Sequence, residues 1–106
     1  LASLDDILRA ADRGGTRPSF DVLLSAAERH GLHPRPYRKC LMFAPPSHRG
    51  RCLYTIWIQP AADGRASLYV SPRAFAEFFP VDEKTATAVL GPEGYRYLSH
   101  ADLLRW

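Results

Sequence analysis

The sequence predicts an α+β fold. It is read as a small two-layer domain, with a three-stranded antiparallel meander flanked by N-terminal helices and C-terminal helices in the order α-α-β-β-β-α-α-α. Three observations predict it. Apolar residues recur at helical spacing up to His30 and again after Ser71, with a capping residue at each start. Between these regions the pattern shifts to short runs rich in β-branched and aromatic residues. Those runs are joined by short turns, which suits antiparallel neighbours.

The elements follow in order. Ser3 and Asp6 fit an S-x-x-D capping box, and Leu4, Ile7, Leu8 and Ala11 form the apolar stripe behind it. Gly14 and Gly15 end that helix. A second helix begins near Pro18 or Ser19, presents Phe20, Leu23, Leu24 and Ala27, and closes at Gly31. "LHPRP" reads as a stiff extended connector, because a residue before proline is pushed out of the α region.

The three strands are expected over Tyr37 to Phe43, Cys52 to Ile58 and Ser67 to Val70. Asp63-Gly64 supplies the turn between the second and third. Ser71-Pro72 then caps a helix containing Phe75, Phe78 and Phe79, whose spacing is that of a core-facing stripe. Pro80 stops it, Asp82 caps the next, and Gly91 ends that one. "GPEGYRYL" reads as a turn with a short extended piece. Ser99 and Asp102 repeat the capping box ahead of "HADLLRW", with Leu98 and Leu103 placed as a hydrophobic staple.

The 106 residues suit a single domain spanning 1–106. The chain begins at Leu1 rather than Met and stops at Trp106 inside a predicted helix, so excision from a longer polypeptide is the expectation. No apolar run approaches the ~20 residues of a membrane span, so no membrane partner is expected. With only two cysteines, reduced packed thiols and a cytoplasmic setting are expected, although a hairpin could set Cys40 opposite Cys52. Arginine supplies 12 of the 14 cations, which fits codon usage in a GC-rich bacterial genome as well as anion recognition.

Charge is the informative feature. The net charge is +3, but it is unevenly distributed. From Arg29 to Ala62 there is no acid, while Arg29, Arg35, Arg38, Lys39, Arg49 and Arg51 fall within those 34 residues. Three of the four histidines, His30, His33 and His48, lie there too. The remainder carries eight cations against eleven acids. Such a segment attracts phosphate by Coulomb steering. Tyr37, Tyr54, Trp57 and Tyr69 lie on the predicted strands, where solvent-facing rings stack on bases. The competing expectation is that these rings fill the core. Strand two is apolar on both faces and reads as central and well covered, which leaves little free aromatic surface.

Catalytic and metal constellations are weak. Cys40, His48, Cys52 and His33 lack the paired spacing of structural zinc sites. Ser47-His48 and Ser99-His100 are adjacent in sequence, which rarely aims one side chain at the other. The carboxylates do not pair on a central strand as a metal-dependent nuclease needs. "RGRCLYTIW" opens like the RNP1 pattern of RNA-recognition motifs, but Arg51 stands where that pattern needs an aromatic, and no membership follows.

The sequence therefore points to a non-catalytic binding or accessory module without a cofactor. Its expected ligand is nucleic-acid phosphate, held by Arg35, Arg38, Lys39, His48, Arg49 and Arg51 in the strand-loop-strand segment 29–62. Arg73, at the start of the helix capped by Ser71, is a further anion-binding candidate. The alternative is a protein-interaction domain of a longer chain, with the basic hairpin meeting an acidic partner.

Overall fold

The computed structural model describes residues 3–104. Helices α1 (Leu4–Gly14) and α2 (Arg17–His30) precede strands β1 (His33–Tyr37), β2 (Cys40–Ala44), β3 (Tyr54–Trp57) and β4 (Ala66–Val70). Helices α3 (Pro72–Phe78) and α4 (Glu83–Leu90), strand β5 (Gly94–Leu98) and helix α5 (His100–Leu103) complete the chain. The sheet is a five-stranded antiparallel meander in the order β1-β2-β3-β4-β5. The α+β class holds, but the expected three strands are five. None of the described helices is long and apolar enough to cross a membrane.

The helix starts other than that of α2 follow their capping chemistry; α2 begins at Arg17, just ahead of the expected Pro18 or Ser19, and Thr16 before it makes no side-chain capping hydrogen bond. Ser3 and Asp6 form the reciprocal capping box of α1, and Gly15 ends it at φ 80. Ser71 and Asp82 accept from the Ala74 and Thr85 amides at the starts of α3 and α4. Ser99 and Asp102 exchange hydrogen bonds of 3.1 and 3.2 Å at the start of α5. The expected helix "HADLLRW" is observed over His100–Leu103, and its last two residues lie outside the described residues.

Two strands differ from expectation for stated reasons. The proline connector is β1. Its pairing with β2 closes through Tyr37↔Cys40. From that pair the ladder alternates, so Pro34 and Pro36 fall where the backbone N–H would point away from β2. An edge strand tolerates proline at those positions. Arg38 and Lys39 are therefore a two-residue turn, not the interior of a strand, and Arg38 takes φ 44 to make it. Across the turn Tyr37 shares a face with its partner Cys40, opposite to Leu41 and Phe43, whereas an unbroken strand from Tyr37 to Phe43 would set all three on one face. The second difference is β5, expected as a turn with a short extended piece. It pairs with β4 over its whole length, Ala66↔Leu98 to Val70↔Gly94.

All five helices cover one face of the sheet. Leu41, Phe43, Ile56, Leu68 and Val70 are fully buried on it, against Ile7 and Ala11 of α1 and Phe20, Leu23 and Ala27 of α2. Phe43 stacks on Tyr54 at 4.7 Å, and Tyr54 faces Phe75 of α3 at 6.1 Å. Burial pushes the Tyr54 phenol well above its usual range, so it stays neutral. Thr16, itself buried, donates to the Ile58 carbonyl at 3.2 Å and ties the α1–α2 corner to the end of β3.

Candidate ligand-binding face

Among the described residues, no helix lies on the second face of the sheet. Antiparallel register decides which residues stand on it, because cross-strand partners share a face. One row runs Arg35, Met42, Thr55, Tyr69, Tyr95 across the five strands. The neighbouring row joins Tyr37, Cys40 and Trp57 on one side to Ser67 and Tyr97 on the other. Strand β3 is central as expected, but it is covered on one face only, so the expectation of little free aromatic surface does not hold. Tyr37, Tyr69, Tyr95 and Tyr97 are 41%, 36%, 60% and 48% exposed, whereas Tyr54 points inward. Cys40 and Thr55 are buried beneath these larger neighbours.

The rings are organised. Tyr69 and Tyr95 meet edge to face at 5.1 Å. The Arg38 guanidinium lies 5.4 Å over the Tyr37 ring. Near Lys39, the face dips into an open concavity of about 730 Å³ walled by Trp57, Tyr95 and Tyr97, with Gln59 and Ser67 among its polar groups. The shielded Trp57 indole N–H finds no acceptor among the described residues.

Charge separates by layer. None of the five strands contains an Asp or Glu. The described carboxylates sit on helices, at their caps or in loops, and several are engaged there: Asp6 with Arg9, Asp12 and Asp21 with Arg17, Asp63 with Arg65. Arg35, Arg38, Lys39, Arg49 and Arg73 make no ion pair among the described residues.

The fold divides the basic segment anticipated from the sequence. Arg35, Arg38 and Lys39 gather at the β1–β2 end of the open face. His48, Arg49 and Arg51 lie in the loop after β2, at the opposite end of the strands. That loop folds back on α3. Arg51 donates to both oxygens of Glu77 at 2.9 Å and lies 5.1 Å over Phe78, and the His48 ring sits 4.7 Å from the same ring. Arg73 occupies the first turn of α3, where the Ser71 hydroxyl already donates to the Glu93 carboxylate at 2.9 Å.

The cysteines do not face one another. Register pairs Cys40 with Trp57, and both thiols are free. Burial raises the Cys40 thiol above its usual pKa, the reverse of what a nucleophile needs. Cys52 is turned to the Tyr54 carbonyl and Thr55 hydroxyl, both at 3.3 Å. Among the described residues no three His, Cys, Asp or Glu side chains converge as metal ligands.

Tyr95 and Tyr97 were missed by sequence reasoning. Their signal was the alternation of "GYRYL", which puts Arg96 and Leu98 inward and both tyrosines outward. Comparison with family models, curated proteins and solved structures finds no match for this chain.

Proposed function

We propose that the open sheet face binds single-stranded nucleic acid. Phosphates lie against Arg35, Arg38 and Lys39, and bases stack on Tyr37, Tyr69, Tyr95 and Tyr97. The observation that supports this reading is the coincidence, on one uncovered face, of four exposed tyrosines, an edge of unpaired cations and strands free of carboxylates. Four interstrand spacings of about 4.8 Å make the face roughly 19 Å wide. That width suits the two or three bases that aromatic sheet platforms stack. The face presents no helix or ribbon to enter a duplex groove, so the preferred ligand is single-stranded. Arg49 adds charge from the far loop. Arg51 contributes less, because Glu77 already neutralises it.

The test is fluorescence anisotropy of labelled single-stranded and duplex oligonucleotides across a salt series. Arg38→Ala, Lys39→Ala together are expected to lower the log–log salt slope by about 1.4 for a single strand. Tyr95→Ala is expected to weaken binding by about 1–3 kcal/mol with the slope unchanged. Absence of binding at low salt overturns the reading. The same Tyr, Trp and Arg side chains are those that dominate protein interfaces. An acidic protein surface is then the partner to seek.

A further inference from the structure

We infer that an apolar cavity within the helical layer binds a small amphipathic anion, its apolar body between α2 and the α3–α4 pair and its charged head at Arg29 and His30. This site lies on the other side of the sheet from the open face, and it does not rest on the nucleic-acid reading.

The cavity has a volume of about 530 Å³, within the range of sites that take a small molecule. Leu23 of α2, Phe75 and Phe79 of α3, Leu90 of α4 and Leu103 of α5 line it. Ala26 and Ala86, on α2 and α4, contribute only methyl groups to the wall, where longer side chains would fill the gap.

Two further observations select the ligand class. The large hydrophobic side chains left exposed among the described residues fall into two groups. One is the four tyrosines of the open sheet face. The other is Val81, Val89 and Leu104, at 39%, 60% and 62%, and all three line this cavity. Apolar surface gathered in this way around a hollow marks a binding site. Charge at the hollow has one sign. No Asp or Glu lines it among the described residues, whereas Arg29 and His30, exposed at the end of α2, both do. Arg29 makes no ion pair among the described residues. An anionic head at this rim meets a free guanidinium while the tail leaves water, and a cationic head meets repulsion.

The experiment titrates octanoate, 1-octanol and octyltrimethylammonium, each below its micelle or solubility limit, into the protein and follows amide chemical shifts by NMR. The three probes share one tail and differ in the charge of the head. The expected result is shifts at the cavity residues, with octanoate bound about fivefold more tightly than octanol and octyltrimethylammonium weakest. In Arg29→Gln, His30→Gln together the octanoate advantage is lost and octanol binds at least as tightly, because nothing then offsets desolvation of the carboxylate. Val89→Glu, at an exposed position that the fold tolerates, weakens octanoate more than octanol. Absence of octanoate shifts at the cavity, octanol binding the native protein more tightly, or an octanoate preference unchanged in the double variant overturns the site. A concentration-dependent dimer that Val89→Glu dissolves would make the patch a contact between two copies of the chain and overturns it as well.

Discussion

Arg51 and Glu77 face each other as a bidentate pair, Nη1 to Oε1 and Nη2 to Oε2 both at 2.9 Å, linking the loop after β2 to α3. Both side chains remain about half exposed, at 51% and 45%. This contact separates the two ends of the basic segment. It holds one arginine of the loop against the helical layer and leaves the cations beside β1 without carboxylate partners.

Arg51→Ala is accordingly expected to cost less than about 1 kcal/mol of stability, since solvent screens such a pair. It is expected to leave oligonucleotide affinity within about twofold, because Glu77 already answers its charge. Denaturant midpoints and anisotropy on the same preparations check both. A large loss of affinity would return the loop to the centre of the binding site.

Arg38 adopts a backbone conformation that costs stability. Its φ of 44 belongs to the left-handed region. A side chain there costs about 1–2 kcal/mol, which glycine avoids while losing part of the gain through its freer unfolded chain. Arg38→Gly is expected to leave stability unchanged or to raise it by up to about 1 kcal/mol. The same substitution removes one unpaired cation from the open face, so binding is expected to weaken. A thermal scan and a titration test the two effects separately. If stability rises and binding is untouched, the arginine has no role in the site.

Neighbouring residues on β4 distinguish the two faces. Leu68 is fully buried under the helices, whereas Tyr69 stands on the open side. Leu68→Ala is expected to cost about 2–5 kcal/mol. Tyr69→Ala loses its edge-to-face contact with Tyr95 and its cover over Thr55, and its expected cost is smaller than that of Leu68→Ala because Tyr69 is already partly exposed. Comparable losses at both positions in urea unfolding would mean that something covers the second face.

Asp82 caps α4 by accepting from the Thr85 amide at 2.7 Å, and hydrogen bonding with the Thr85 side chain, then with that amide, lowers its pKa below the usual carboxylate value of 3.8. A depressed folded-state pKa stabilises the protein above the unfolded value, and the contribution is lost as pH falls through the folded one. Asp82→Ala is therefore expected to lower the melting temperature at pH 6 and to approach the native protein as pH drops below about 3.8. Melting curves by circular dichroism from pH 6 to pH 2 follow the convergence. A constant gap would mean that the cap acts without its charge.

Much of the fold was legible in local chemistry. Ser3 with Asp6, Ser71 with Pro72, Asp82 and Ser99 with Asp102 each satisfy amides at a helix start, and such caps act within a few residues of chain. The edge strands were less legible. Pro34 and Pro36 look like strand breakers until their missing N–H groups are placed on the outer side of β1, which requires knowing that β2 lies on the other side. Tyr95 and Tyr97 are too short a signal to be read as a strand without β4 beside them.

The sequence by itself determined the side-chain-capped helix starts, the antiparallel character of the sheet and the concentration of cations between Arg29 and Ala62. Tertiary structure alone decided how those cations and rings are shared out. Side-chain facing in a sheet depends on register, and a two-residue turn at Arg38 and Lys39 reverses it for everything before the turn. Packing all the helices on the side of Leu41, Phe43 and Ile56 then left Tyr37, Trp57, Tyr69, Tyr95 and Tyr97 together on the other. No local pattern specifies which face the helices cover. That choice is made by burying the larger apolar area, which exists only once five strands are side by side.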